Sequence, residues 1–197
     1  MVPPTVSTIL SSIAARRTIY NLKPVLPTGI NLKDVQKIIQ AIIKDTPTAF
    51  NSQPNRALIL TGEAHRKIWE QVTDSIEAES GKKRPASVKN EAFGSVIFLT
   101  DDQTTENLQA KFPAWAAFFP TFASHASGAA QISSWTTLEA AGLGCHLQHY
   151  NGYIKAALGS KIPSNWTVQA QLIFGVPKEQ PGEKTYIENE VKVISVL

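Results

Sequence analysis

Cysteine is almost missing from this 197-residue chain, in which Cys145 stands alone. One thiol excludes an intramolecular disulfide and any zinc or iron–sulfur centre built on cysteines, and it fits a reducing compartment, so a cytoplasmic or nuclear location is expected. Long apolar runs are missing too, and no stretch approaches the length that crosses a bilayer. The opening residues, MVPPTVSTILSSIAARR, lack a basic start followed by a long apolar core, which leaves a secretory signal unsupported and a soluble protein expected. Nor is there an excess of one charge: nineteen Lys and Arg against sixteen Asp and Glu leave +3. Such a scattered surplus excludes nucleic-acid binding by charge alone. The one basic run, Lys82, Lys83 and Arg84, reads as a solvated loop.

Several catalytic signatures are absent as well. There is no G-x-S-x-G nucleophile elbow, and Cys145 beside His146 makes a poor nucleophilic pair because adjacent side chains usually point apart. The segment GLGCHL (residues 142–147) starts like a dinucleotide fingerprint, but Leu147 stands where the third glycine belongs and the preceding pattern is helical. Its glycines read instead as a helix end that lets the chain pass close to a flat ligand. His146 and His149 lack companion ligands, since His65 and His125 lie in unrelated segments without a carboxylate pattern, so no metal site is expected.

What is present points to an ordinary globular chain, with 43% apolar and 18% charged residues, long enough for one domain. A short helix is predicted over residues 6–15. Asn31 is the predicted N-cap of a helix whose stripe is Leu32, Val35, Ile38, Ile39, Ile42 and Ile43, stopped by Pro47. Residues 57–60 and 95–100 read as buried strands, with a helix carrying Ile68, Trp69, Val72 and Ile76 between them. A small-residue helix over 127–141, a break over 142–150, weak helix character over 156–158, a strand over 168–176 and a terminal strand over 190–197 complete the pattern. Strands interspersed with helices indicate α/β or α+β with a largely helical mass.

Residues 46–55, reading TPTAFNSQPN, crowd amides, hydroxyls and two prolines between a helix and a strand. Loops of this kind on rigid flanks read ligands. Asn51 and Gln53 each offer donors and an acceptor, which suits the edge of a flavin or a base. Arg16, Arg17 and Thr18 combine two fixed cations with a hydroxyl, a set suited to a phosphate monoester, the bland reading being a solvated basic pair. Lys184 is either a further phosphate cation or an exposed loop lysine. The cluster Phe112, Trp115, Phe118, Phe119 and Phe122, interrupted by Pro113 and Pro120, reads as core packing or, in a long irregular connection, as a lid over residues 103–125.

Taken in order, RRTIY (residues 16–20), TPTAFNSQP (46–54) and GLGCHLQHYN (142–151) resemble the nitroreductase family of FMN-dependent flavoproteins, most of all its short fungal branch, the fatty-acid-repression-mutant-like nitroreductases, and the related bacterial copper-induced nitroreductases. The likeness runs over about residues 10–190. It implies an α+β fold with a central, mainly antiparallel sheet wrapped by helices, and an intertwined homodimer with two FMN sites at the interface. It also implies that Arg16, Arg17, Thr18 and Tyr20 serve the FMN, the first three at its phosphate and ribityl chain with Lys184 as a phosphate partner. Thr48, Asn51 and Gln53 match the segment that reaches the flavin, and Leu147, Gln148 and His149 the stretch along its isoalloxazine ring. Trp115, Phe118, Phe119 and Phe122 are the expected substrate-facing residues. The activity implied is NAD(P)H-driven reduction of nitroaromatics or quinones in two steps. Oxidation of a small metabolite, and a regulatory protein that binds flavin with negligible turnover, stay open beside it.

Overall fold

The computed structural model describes residues 3–195. The order is α1 (Pro4–Ala15), β1 (Leu22–Lys23), α2 (Leu32–Asp45), β2 (Asn55–Thr61), α3 (Gly62–Asp74), α4 (Glu79–Glu91), β3 (Gly94–Asp101), α5 (Asp102–Lys111), α6 (Phe119–Ala140), β4 (Gly144–Gln148), α7 (Asn151–Leu158) and β5 (Trp166–Pro177). The sheet is antiparallel between all its named strands. β5 lies at its centre, with β3 and then β2 on one side, β4 also paired to it, and the short β1 at its end. Helices cover both faces, so the fold is α+β as expected.

β3 is apolar without alternation because it is buried on both faces. Ile97 and Leu99 point into a core with Ile68, Trp69 and Val72 of α3 and Ile154 and Leu158 of α7. Val96 and Phe98 point the other way, into a core with Val35 and Ile39 of α2 and Trp135 and Leu138 of α6. α2 begins where the sequence predicts. Asn31 Oδ1 accepts from the N–H groups of Lys33 and Asp34, and Asp34 Oδ2 accepts from Asn31 N–H, a reciprocal cap worth about 1 kcal/mol.

Three expectations are corrected. Lys82, Lys83 and Arg84 are not in a loop but in α4, a helix obscured in sequence by Gly81, Pro85 and a shortage of apolar residues. Residues 103–125 are not an irregular connection: α5, a 3-10 segment over Pro113–Phe118 and the first turns of α6 account for nearly all of them. The break in helix periodicity over 142–150 stands, and β4 occupies its middle. Residues 190–195 form no strand, and the last two positions of that expected strand lie outside the described residues.

Candidate flavin-type site

Residues 16–20 leave α1 and run beside β4. Thr18 bridges Cys145 in parallel, and Ile19 N–H donates to Cys145 O at 2.9 Å. Gly144 permits that approach, because a Cβ there would lie 2.9 Å from Pro177 Cγ and 3.0 Å from Leu22 Cδ2. The close contact is thus with the protein's own chain. Gly142, at φ 85°, terminates α6 in the left-handed conformation, and Leu143 N–H returns to Leu138 O.

The register brings two predicted groups together. The Tyr20 ring lies 5.1 Å from the His146 ring, and the Arg84 guanidinium sits 4.2 Å from the Tyr20 ring centroid. Gln148 Nε2 donates to His146 Nδ1 at 3.0 Å and to Leu147 O at 2.8 Å. His146 is buried, and burial, then the nearby Arg84 charge, lowers its pKa to about 3, so its ring is neutral. His149 is exposed beside them. Cys145 is buried, and its thiol pKa is pushed well up by burial and then by Glu139, which makes it inert.

Cations gather at the start of this segment. Arg17 N–H donates to Glu139 Oε2 at 2.8 Å, Trp135 Nε1–H donates to Glu139 Oε1 at 3.0 Å, and Arg16 stacks 4.4 Å from the Trp135 ring centroid. The chain beyond β5 returns here: Arg17 donates to Gly182 O, and Lys184 Nζ donates to Ala14 O. Burial raises the Glu139 pKa, opposed by its two N–H donors and by the charges of Arg16 and Lys184. A cavity of about 670 Å³ opens beside Arg16, Arg17 and Glu139, walled by Ser7, Ser11 and Ser12 of α1, and one of about 350 Å³ lies among Arg17, Thr18, Tyr20 and Arg84. The sequence reading missed Arg84 and Glu139. Each had a local signal: Arg84 precedes the buried Val88 by one helical turn, and Glu139 follows Trp135 by the same step.

Residues 46–55 are elsewhere. Phe50, Asn51 and Gln53 have φ of 56°, 51° and 52°, conformations that side-chain-bearing residues avoid. Thr48 Oγ1 accepts from Gln53 N–H at 3.0 Å, and Arg56, paired to Asp101 at 2.8 Å, donates to the carbonyls of Gln53 and Asn55. Asn55 is 5% exposed, yet neither amide atom of its side chain has a partner among the described residues. The side chains of Asn51 and Gln53 face solvent. Phe50 packs on Phe112 at 4.8 Å and on Phe119 at 5.5 Å. Of the predicted substrate residues, Trp115 and Phe118 are more than half exposed and Phe122 is partly buried. Phe119 is 2% exposed and supports the other rings from behind.

The two clusters sit at opposite ends of α6, since Phe119 begins the helix and Glu139 is next to its last residue. Twenty residues of α-helix separate them by about 30 Å. Among the described residues no group of three or more His, Cys, Asp or Glu is arranged to hold a metal, and no helix is long and apolar enough to cross a membrane.

The Nitroreductase family model matches residues 13–176. The chain belongs to the nitroreductase family. It is 66% identical to the Saccharomyces cerevisiae protein HBN1 over 96% of this chain and 98% of that one. To the nitroreductase FRM2 of the same yeast it is 56% identical, over 93% and 95%. Among solved structures, the nitroreductase CinD from Lactococcus lactis in complex with chloramphenicol superimposes with a TM-score of 0.83 at 36% identity, covering 91% of this chain and 95% of that one. Its complex with nicotinic acid gives 0.80 at 35%, with the same coverage. This nitroreductase-family chain is therefore an oxidoreductase with the family's fold, and its close relatives are fungal.

Proposed function

We propose that this protein binds FMN at the interface of a homodimer and uses NAD(P)H to reduce flat, electron-poor acceptors of the nitroaromatic or quinone type. The observation that carries the reading is the separation along α6. One face of the site holds Arg16, Arg17, Thr18, Tyr20 and residues 147–149, and the other is the strained loop with Thr48, Asn51 and Gln53; the Arg17 end of the first and the Phe50 end of the second lie at opposite ends of α6, about 30 Å apart in the same chain. A single flavin is too short to touch both. Two chains packed about a twofold axis bring the loop of one to the cations of the other.

The donor set fits the cofactor. Arg17 and Lys184 each spend one donor on a carbonyl, leaving further N–H groups for a phosphate, and Thr18 adds a hydroxyl. Arg84 brings a fixed positive charge to the Tyr20–His146 wall, suited to the negative charge of a reduced ring. The FMN itself, when bound, would supply the electron transfer, so no protein nucleophile is required. The chain's part is to orient, shield and hold charge.

The surface supports a dimer. α1 is inverted, with Ser7, Ser11 and Ser12 facing its own chain while Ile9, Leu10 and Ile13 are each more than half exposed. Tyr186, Ile187, Val191, Val193 and Ile194 are exposed along the extended C-terminal segment. Unpartnered apolar surface of this extent marks an interface. For the acceptor, the CinD complexes are the guide: chloramphenicol carries a nitroaromatic ring, and nicotinic acid resembles the nicotinamide end of NAD(P)H. The rings of Phe50, Trp115, Phe118 and Phe122 offer a stacking surface for such molecules and form the proposed lid.

The test is the absorbance spectrum of the purified protein with FMN, before and after NADH or NADPH under exclusion of oxygen. A yellow protein bleached by one of the two and recoloured by 4-nitrophenol or a quinone is expected. Protein that stays colourless after incubation with FMN overturns the proposal.

A further inference from the structure

Gln148, the last residue of β4, has its side-chain amide held twice. Nε2 donates to His146 Nδ1 at 3.0 Å and to Leu147 O at 2.8 Å, and an amide nitrogen carries two hydrogens, so both are used. Leu147 O can only accept. Turned over, the amide would set Oε1 against the Leu147 oxygen and against the His146 Nδ1 lone pair, so the two contacts act together to fix which end of the amide faces inward, and losing either lets the side chain swing away. The free end is Oε1, which can accept a hydrogen bond and cannot donate one.

His146 is suited to hold that arrangement. It is 1% exposed, its ring lies 5.1 Å from that of Tyr20, and it stays neutral; the Gln148 N–H that faces Nδ1 selects the tautomer with the ring proton on Nε2. Its side chain is buried beneath the wall while Gln148 is partly exposed along it.

We propose that His146 is a positioning residue that, with the Leu147 carbonyl, makes Gln148 an acceptor-only group in the cofactor wall and so biases the site towards reduced flavin. The inference rests on the FMN reading above. In an oxidised isoalloxazine N5 is a bare lone pair, whereas two-electron reduction puts a hydrogen on it. An acceptor-only partner gains a hydrogen bond on reduction. An amide free to turn serves either state and gives no such preference.

The experiment measures the midpoint potential of bound FMN, and the Kd of oxidised FMN, in the wild type and in His146→Asn, His146→Leu and Gln148→Met. Asn retains an acceptor in the place of Nδ1 and is expected to match the wild type. His146→Leu releases the amide and Gln148→Met removes it. Each should reduce the preference for reduced over oxidised FMN about tenfold, a fall of about 30 mV for a two-electron couple. A structural role alone would weaken both redox states equally and leave the potential unchanged. The proposal is overturned if His146→Leu binds FMN at the wild-type potential, or if His146→Asn falls as far as His146→Leu. Should His146→Leu fail to fold, Gln148→Met at a partly exposed position decides: a lowered potential supports the inference and an unchanged one overturns it. Wild-type protein that binds no FMN overturns the functional reading itself, a failure distinct from the others.

Discussion

Phe50, Asn51 and Gln53 hold a backbone conformation that costs about 1–2 kcal/mol per non-glycine residue, in a segment exposed enough to relax. Strain of that kind is a ground for the loop's place in the proposed site. Replacing Gln53 with glycine should therefore leave thermal stability unchanged or raise it by up to about 1 kcal/mol, while FMN affinity falls; calorimetry and flavin titration on the same samples check both signs. Arg17→Ala should raise the Kd for FMN about ten- to a hundredfold, the worth of a charge-assisted hydrogen bond, and should affect riboflavin, which lacks the phosphate, far less. Equal loss for the two ligands would place Arg17 away from the phosphate. At this scale the cations and the polar loop stood out in the sequence as functional groups suited to a phosphate and a heterocycle edge, the roles proposed for them. Arg84 and Glu139 carried only a helical-spacing signal, since a charge on a helix shows its purpose once its neighbours across space are known.

Helix caps and strand runs were the legible elements. Asn31 ahead of its apolar stripe announced α2, and substituting Asn31 with alanine should cost about 1 kcal/mol in urea unfolding with FMN affinity unchanged, since α2 supplies none of the proposed ligands. β3 and β5 were found by apolar runs that only a strand buried on both faces requires. α4 was missed. Its residues ESGKKRPASVKNE offer no stripe, and it is a helix because α3 packs beside it and His65 Nε2–H of α3 donates to the Val88 carbonyl at 3.0 Å. The aromatic segment was expected to be irregular because Pro113 and Pro120 punctuate it, but both stand in the first turn of a helical segment, where a missing N–H costs nothing.

For the whole molecule, the dimer proposal makes a prediction that no single-chain site shares. Chains carrying Arg17→Ala and chains lacking Asn51 and Gln53 side chains, co-expressed and purified as a mixed dimer, should hold one intact and one doubly altered site. Bound FMN should reach about half the wild-type stoichiometry, whereas either altered chain alone binds weakly; failure to restore binding in the mixed dimer would refute a shared site. Acid stability is also set globally. His65 donates to Val88 O and accepts from Ser95 Oγ, which in turn accepts from Trp69 Nε1, and burial lowers the pKa of both His65 and His146. The unfolded chain binds these protons near the usual value of 6.5, the folded one only at lower pH. The stability these residues contribute is thus complete above about pH 6.5 and is lost as pH falls, for His146 until about pH 3. At about pH 5.5 the loss from His146 alone should be about 1.4 kcal/mol, visible as a lower urea midpoint whose pH slope is reduced in His146→Asn.

The amino-acid sequence by itself determined the chemical inventory and its order: a phosphate-suited RRT, a polar loop, a glycine-ended helix before LQH, and strands placed by apolar runs. These are local properties, set by which functional groups a few adjacent residues carry and which backbone angles they allow. Only the tertiary structure decided which of them meet. The pairing of β4 with β5 and the parallel bridge from Thr18 to Cys145 set Tyr20 on His146, and packing of α4 added Arg84. The length of α6 kept the polar loop far from the cations of its own chain, so the site is proposed to form between chains. Contacts between segments more than a hundred residues apart depend on sheet register and helix length, which no short window of sequence contains.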